Sequence, residues 1–190
     1  MIKVFPYTTI TNSDNFRFKI SRDTLRVKSF EVHTHEFSEL VIILGGTALH
    51  LTDNGQYPLT AGDVFVLNGD MAHGFEACEG LRLCNMMYDP RAMLPQAGDI
   101  QQLAGYQALF VVEPLYRAHH PMHNLLRLSM QSLTQVDGML DIILAEYKQK
   151  SVGYASMIEA IFLQLVVMLS RLYASKIDET RGESVGRLAL

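Results

Sequence analysis

Turn residues divide the first half of this chain into short apolar segments, and this pattern limits the fold more than any other feature of the sequence. Residues 16–20 alternate between apolar and polar side chains, and residues 40–44 form an unbroken apolar run. An Asn54-Gly55 pair is typical of a tight hairpin, and Gly45-Gly46 and Glu79-Gly80 are further predicted turns. Turn signals that recur roughly every 8–12 residues predict a β-sandwich or β-barrel.

The second half of the chain changes to a helical period. One amphipathic helix is predicted from about residue 132 to Lys150, and a second from about residue 154 to 174. The second helix is apolar on more than one face, so one face can cover the sheet while another pairs with a second copy of the chain. Alternatively, the two helices bury each other. The candidate contacts between copies are Met157, Ile161, Leu165, Met168, Leu169 and Leu172.

Composition divides the chain into four parts. Residues 1–15 are expected to form an N-terminal arm, residues 16–115 the β domain, and residues 116–176 a helical segment for dimerisation. Residues 177–190 begin with a polar, charged stretch of the kind found in linkers. They end on the apolar residues Leu188-Ala189-Leu190, which we expect to be the first turn of a further domain.

The charge of the chain argues against nucleic-acid binding by this segment itself. The 190 residues include 16 Lys and Arg against 20 Asp and Glu, which gives a net charge of about −4. Contacts to phosphate groups need clustered basic side chains, and the sequence has no such cluster.

Cysteine usage and hydropathy favour a cytoplasmic protein without a membrane partner. Cys78 and Cys84 flank a predicted turn and either pair across it or remain reduced; we expect reduced, buried thiols. The N-terminus lacks the apolar stretch of a signal peptide. The most apolar segment, residues 157–173, contains Glu159 and Arg171 and is predicted to be too short and too interrupted to cross a bilayer.

Three histidines and a glutamate have a spacing that predicts a common site. His33 and His35 are one residue apart, so they point to the same face of a strand, and Glu39 can join them. His73 follows a Gly62-Asp63 turn further along the chain. Imidazole and carboxylate groups that converge in a small barrel form either a divalent-metal site or a polar patch in a ligand pocket.

This spacing resembles the two sequence motifs of the cupin superfamily. The pattern His33-x-His35-x3-Glu39 with Gly46 matches the first motif, and Gly62 and His73 match the second. The Pro and the second Gly of the second motif are Asn68 and Asp70 here, and its Asn is Ala77. The resemblance implies a mainly β fold with α-helices, in which a cupin-like jelly-roll barrel precedes two C-terminal helices. In cupins the four matching residues hold a metal such as Zn, Ni, Mn or Fe, or they line the site of an organic ligand.

The layout of the whole chain resembles the effector-binding and dimerisation domain of AraC-family bacterial transcription regulators. The segments 33–43, 57–67 and 106–110, together with the two helices, look like the matching parts of that family, and the L-rhamnose operon regulators look nearest. The resemblance implies a sugar effector, with L-rhamnose as the first candidate, an arm that folds over it, and a homodimer formed through the C-terminal helices. DNA would be bound only by helix-turn-helix motifs that follow Leu190. The alternative is a metal-dependent cupin enzyme, such as a sugar isomerase or a dioxygenase.

Several further side chains are candidates for the ligand pocket, each with a simpler alternative. His50 either faces inward or lies on the surface, and Arg26 either contacts sugar hydroxyls or is exposed on an edge strand. Phe37 and Tyr88 either stack on a sugar ring or belong to the core. His119, His120 and His123 form a second histidine cluster that we interpret as part of a solvated loop. The expected ligand-binding set is His33, His35, Glu39, His50, His73, Phe37, Tyr88 and Arg26.

Overall fold

A bent antiparallel sheet is covered on one face by helices. The computed structural model describes residues 2–53, 55–69, 71–112 and 126–188, with the backbone alone for residues 112 and 177–188. The strands are β1 (Lys3–Phe5), β2 (Phe18–Thr24), β3 (Phe30–His35), β4 (Ser38–Thr52), β5 (Gly55–Thr60), β6 (Asp63–Leu67), β7 (His73–Tyr88) and β8 (Leu126–Arg127). The α-helices are α1 (Pro90–Met93), α2 (Ala104–Tyr106), α3 (Met130–Gln149) and α4 (Tyr154–Leu188).

Two long strands form the centre of the sheet. β4 and β7 pair in antiparallel fashion along most of their lengths, and the strand order β1-β3-β7-β4-β6-β8 is completed by β2 on β7 and β5 on β4. The predicted turns at Gly45-Gly46 and Glu79-Gly80 are wrong, because they are bends inside β4 and β7, where the register shifts. Gly46 has a φ of +74°, and a side chain there would collide with the carbonyl of Gly80.

The predicted fold class is confirmed, with one difference in the hydrogen bonding. A β domain followed by two long C-terminal helices is present, but the strand pairing of the described residues gives a bent open sheet rather than a closed barrel. The helices account for about as many residues as the strands, so the fold is less dominated by β-structure than the sequence predicts.

The two faces of the sheet have different surroundings, and successive side chains of each strand point to opposite faces. Phe18 and Ile20 of β2 and Tyr88 of β7 are buried in the core that the sheet forms with α3 and α4. Their neighbours Lys19 and Met87 point to the opposite face, where they line a pocket. The alternation of apolar and polar residues over residues 16–20 therefore places the apolar side chains in the core and the polar Lys19 in the pocket.

The helices pack on the sheet and on each other. Ser129 caps α3 by accepting a hydrogen bond from the backbone N–H of Ser132 at 3.1 Å, and Lys150 ends the helix in the left-handed region with a φ of +51°. The amphipathic character predicted for this helix is confirmed, because α3 buries one face. The buried residues are Leu133, Val136, Leu140 and Ile143. The buried residues of α4 are Tyr154, Ile158, Phe162, Leu165, Val166, Leu169, Ser170 and Tyr173.

The candidate dimerisation residues of α4 do not share one exposed face. Leu165 and Leu169 are 0% exposed and belong to the core of this chain, so they are not available to a second copy. Met157 is exposed, and Ile161, Met168 and Leu172 are partly buried. The helix also continues to Leu188, beyond the predicted end near residue 174, so most of the predicted linker is helical.

One helical segment is long and apolar enough to cross a membrane, judged by length and composition alone. It is Tyr154–Lys176 of α4, with a mean hydropathy of 1.6, and it is therefore longer than the segment that the sequence suggested. Its inner face packs on α3 and on the sheet.

The predicted arm is docked along the edge of the sheet. β1 pairs in parallel with β3, which places Lys3 beside His33 and Phe5 beside His35. Ile10 is buried against Phe37 and Met87. The arm is thus packed between the sheet edge and the pocket.

The segment between the sheet and α3 is only partly described. Tyr106, Leu109 and Phe110 are buried in the helical core, as their apolar character suggests. His119, His120 and His123 lie outside the described residues, so the interpretation of that histidine cluster remains a prediction. Cys78 and Cys84 are free thiols on the same strand.

Candidate ligand and metal site

The four residues of the sequence motif converge on one face of the sheet. β3 and β7 place His33 directly opposite His73, and their ring centroids are 4.3 Å apart. On β4, Glu39 Oε2 lies 3.5 Å from His73 Nε2 and 3.8 Å from His35 Nε2. One ligand atom each from His33, Glu39 and His73 lies within 4.8 Å of the others. We call these three residues with His35 the histidine cluster.

Backbone carbonyls fix the tautomers of the histidine cluster. Nδ1 of His33 lies 3.0 Å from the carbonyl of Glu31, and Nδ1 of His73 lies 3.2 Å from that of Met71. Nδ1 of His35 makes the same kind of contact with the carbonyl of Phe37. Because a carbonyl only accepts, each Nδ1 carries a proton, and each Nε2 is the ring nitrogen that remains for the site. Metal-binding histidines are commonly oriented in this way.

Burial and neighbouring groups shift the pKa values of three members of the histidine cluster. Burial lowers the pKa of His33, and the neighbouring His73 lowers it further. Burial likewise lowers the pKa of His35 to about 4. Burial opposes ionisation of Glu39, but its contacts with His73 and His35 outweigh burial and lower the pKa of this carboxyl. The neutral imidazoles of His33 and His35 beside the Glu39 carboxylate fit a divalent transition-metal ion such as Zn, Ni, Mn or Fe.

A pocket with a cavity volume of about 210 Å³ opens over the histidine cluster. This volume is below the range typical of drug-sized ligands, so the pocket suits a small molecule. Its polar lining consists of Thr9, Lys19, Ser21, Asp23 and Asn85, in addition to His33, Glu39 and His73. Its apolar lining includes Phe5, Phe30, Phe37, Phe75 and Met87. Small-molecule sites commonly combine apolar walls with a few convergent polar groups.

The other predicted ligand residues differ in their position relative to the pocket. Phe37 lines the pocket and stacks on His35, with ring centroids 4.7 Å apart. His50 is buried behind the pocket, stacked on Phe65 and Phe75, and its ring centroid is 6.0 Å from that of His73.

Two predicted ligand residues lie away from the pocket. Tyr88 faces the helices and packs against Phe162, because its position on β7 has the opposite parity to Met87. Arg26 is exposed in the connection between β2 and β3 and is not part of an edge strand, because β2 ends at Thr24 and β3 begins at Phe30.

Sequence reasoning missed two contributions to the pocket. The first is the polar face of β2, formed by Lys19, Ser21 and Asp23. The lysine between Phe18 and Ile20 is a signal that could have found it, since buried neighbours imply that Lys19 points to the other face. The second is a single residue of the arm: the sequence resemblance implies that the arm folds over the ligand but names no contact there, and Phe5 lines the pocket with its ring edge to face against that of His33 at 5.1 Å.

Comparison with known proteins identifies the family. Residues 18–166 match the family of AraC-like ligand-binding domains. The chain is 31% identical over 143 residues to the HTH-type transcriptional activator RhaR of Escherichia coli strain K12, and 26% identical over 142 residues to RhaR of Mannheimia succiniciproducens. Each alignment covers 75% of this chain and 46% of the relative, so the chain spans about half the length of these relatives.

Among solved structures, the chain is similar to an RmlC-like cupin from Shewanella frigidimarina. The TM-score is 0.36 and the identity 23%, with 40% of this chain and 68% of the cupin covered. The family match runs from β2 to the middle of α4 and includes the whole pocket lining except Phe5 and Thr9 of the arm. The chain belongs to the family of AraC-like ligand-binding domains.

Proposed function

We propose that this domain is the effector sensor of a cytoplasmic bacterial transcription regulator, and that a small sugar binds in the pocket over the histidine cluster. The observation that carries the proposal is the pocket itself, whose hydrogen-bonding groups include both donors and acceptors between aromatic walls. Hydroxyl groups of a sugar can both donate and accept, and aromatic rings pack on its apolar faces. L-Rhamnose is the first candidate, because the sequence resembles the L-rhamnose operon regulators.

Regulation would require that the sugar favours one arrangement of the regulator over another. A ligand shifts an equilibrium only by its difference in affinity for the two states. The arm lines the pocket through Phe5 and Thr9 and is the part of the domain best placed to respond to a ligand. DNA binding would belong to a further part of the regulator.

Dimerisation remains part of the proposal, with a revised set of contacts. The solvent-facing half of α4 carries Met157 and Leu163 at its two margins, which are 49% and 39% exposed, with the partly buried Ile161 and Met168 on the Met157 side. A second copy of this chain would cover that face. The buried residues Leu165 and Leu169 would hold the helix on its own domain.

A divalent metal ion bound at the histidine cluster would be held by His33, Glu39 and His73, with His35 beside them. Such an ion would supply a Lewis acid to which sugar oxygens coordinate. The protein's own residues orient these imidazoles, exclude bulk water and shape the apolar walls around the bound molecule.

The effector proposal is tested by thermal unfolding against a panel of monosaccharides that includes L-rhamnose. A ligand at 100 times its Kd stabilises the folded state by about 2.7 kcal/mol, and each kcal/mol raises the Tm by roughly 2–4 °C at this chain length. A rise of several degrees with one sugar supports the proposal and identifies the effector. Unchanged melting curves with every sugar contradict it.

The metal assignment is tested by calorimetric titration with Zn²⁺, Ni²⁺, Mn²⁺ and Fe²⁺. We expect Glu39→Gln to weaken binding of the preferred ion by at least 10-fold, because it removes the anionic ligand and keeps the shape of the side chain. Glu76→Gln is the matched control, because Glu76 is exposed on β7 outside the cluster. Equal affinities for the wild type and Glu39→Gln would show that the cluster holds no metal.

The donor set also supports a second function, that of a metal-dependent cupin enzyme such as a sugar isomerase or a dioxygenase. Its supporting observation is the convergence of His33, Glu39 and His73 in a pocket open to a small molecule. Turnover of a sugar or a diphenol by the metal-loaded protein, abolished in Glu39→Gln, would favour it over the sensor.

A further inference from the structure

We propose that Lys19 is a specificity-determining residue of this pocket and that its ammonium group donates a hydrogen bond to a ligand oxygen on the side opposite the histidine cluster. The inference rests on the proposed function, because it assumes that the pocket binds a hydroxylated small molecule. It names the residue that would discriminate between such molecules.

The alternation of β2 places Lys19 in the pocket wall. Phe18 and Ile20, its two neighbours, are 0% and 5% exposed in the helical core. Lys19 therefore points to the other face of the sheet, where it lines the pocket together with Ser21. The side chain is fixed in direction by the burial of both neighbours, and it cannot turn away without disturbing the core.

The strand register sets the distance between Lys19 and the histidine cluster. Met87 of β7 lies opposite Glu39 of β4 on one side and opposite Lys19 of β2 on the other. Neighbouring strands are about 4.8 Å apart, so the backbones of Lys19 and Glu39 are separated by roughly 10 Å across the pocket floor. A lysine reaching inward from that distance leaves a gap that one small ligand fills.

Lys19 is a half-buried cation for which the protein supplies no acceptor. Among the described residues its ammonium forms no hydrogen bond and no ion pair. The nearest acid along β2, Asp23, instead accepts a hydrogen bond from Ser21 at 2.7 Å. A partly desolvated ammonium without an acceptor is unfavourable, and a ligand oxygen in the pocket would satisfy it.

Asn85 indicates the chemical class of the ligand. It lies on β7 opposite Ser21, and its side chain hydrogen-bonds to Glu39, which makes the amide group the donor to the carboxylate. Its Oδ1 is buried and accepts no hydrogen bond from any described residue. The pocket thus offers a donor at Lys19 and an acceptor at the Glu39 carboxylate, which Asn85 positions, a combination that suits a neutral polyhydroxylated molecule better than a purely anionic one.

The test compares sugar binding by the wild type, Lys19→Met and Lys19→Arg. Lys19→Met keeps the length of the stem and removes the donor, and Lys28→Met is the matched control because Lys28 is exposed outside the pocket. The probe is L-rhamnose, or whichever monosaccharide of the panel binds the wild type. We expect Lys19→Met to weaken binding about 10- to 100-fold, Lys19→Arg to recover part of the loss, and Lys28→Met to bind like the wild type.

A second measurement separates recognition from a structural effect. The same proteins are titrated with the series of monodeoxy analogues of that sugar. For the wild type, loss of the hydroxyl that Lys19 contacts should weaken binding, whereas for Lys19→Met the same analogue and the parent sugar should bind equally. A merely structural role would lower the affinity for every analogue by the same factor.

The outcomes distinguish this inference from the proposed function. If the wild type binds a sugar and Lys19→Met binds it within twofold, or loses affinity equally across the analogues, the inference is wrong and the effector proposal stands. If the wild type binds no monosaccharide of the panel, the proposed function is wrong and this inference fails with it.

Discussion

The imidazoles of the histidine cluster are oriented by the backbone rather than by other side chains. Each Nδ1 meets a carbonyl that lies two residues away along the chain: that of Glu31 for His33, Phe37 for His35 and Met71 for His73. Local chain geometry therefore orients the three rings and places a proton on each Nδ1, whereas burial and the cross-strand neighbours shift the pKa values of His33, His35 and Glu39. Metal-binding histidines are commonly oriented by a hydrogen bond at the ring nitrogen that does not bind the ion.

We expect the free energy of unfolding of the metal-free protein to decrease as the pH falls, because His35 is buried. Its pKa is about 4 in the folded state and near 6.5 when unfolded, so between these values the unfolded chain binds a proton that the folded chain does not. The contribution is fully present above pH 6.5 and is lost as the pH falls toward 4, by on the order of 3 kcal/mol in total. Urea unfolding in EDTA at intervals between pH 7 and pH 4 measures it.

The variant His35→Gln provides the comparison, because it removes the titrating group. Its free energy of unfolding should fall less steeply over the same pH range. The difference between the two slopes should correspond to the uptake of about one proton on unfolding. Identical slopes for both proteins would show that folding does not lower the pKa of His35.

The main residues of the site could be predicted from the sequence because the signal is local. His33, His35 and Glu39 lie within one short segment, and the alternation of a strand is enough to place His33 and His35 on one face. Lys19 and Tyr88 depend on the register between β2, β7 and β4, which is set by pairing over long sequence separations. Local sequence does not determine that register, so Lys19 was missed and Tyr88 was placed in the pocket.

Some strands and one helix are longer than predicted, because glycines or charged residues were interpreted as the end of the element. Gly45-Gly46 and Glu79-Gly80 occur where β4 and β7 bend together, and pairing between the two strands continues past them. The charged stretch after residue 176 has the composition of a linker, yet its backbone continues α4 to Leu188. In the first case the pairing between strands continues through residues that often end a strand. In the second case the helix continues through residues that are common in linkers.

Leu165 and Leu163 of α4 should respond in opposite ways to substitution. Leu165 is 0% exposed in the core, so Leu165→Ala should destabilise the fold by about 2–5 kcal/mol. Leu163 is 39% exposed on the outer face, so Leu163→Asp should keep the fold but separate two copies that pair through this face. Chemical denaturation measures the first effect, and sedimentation with far-UV circular dichroism the second.

Either of two results would contradict this division of α4. A melting curve of Leu165→Ala equal to that of the wild type would mean that Leu165 does not support the core. A wild-type dimer that persists in Leu163→Asp would mean that the copies pair through another surface.

Across the whole domain, the arm connects the sheet edge, the pocket and the helical layer. β1 extends the sheet at β3, and Phe5 and Thr9 line the pocket. Further along, the hydroxyl of Tyr154, at the start of α4, donates to Asp14 at 2.8 Å and accepts from the Asn12 amide at 2.9 Å. A ligand that changes how the arm packs would therefore be sensed at the helix that extends furthest toward the C-terminus.

Deletion of residues 1–15 should separate ligand retention from metal binding. Both large core clusters are built from residues after the arm, so the shortened domain should still unfold cooperatively. The pocket would lose the Phe5 and Thr9 wall, and we expect the bound sugar to dissociate at least about 10-fold faster, since affinity differences between related complexes arise mostly in dissociation. The affinity for the preferred metal ion should change much less, because His33, Glu39 and His73 lie on β3, β4 and β7. Stopped-flow dissociation and metal calorimetry on the same preparation measure both quantities; an unchanged dissociation rate would mean that the arm does not enclose the ligand.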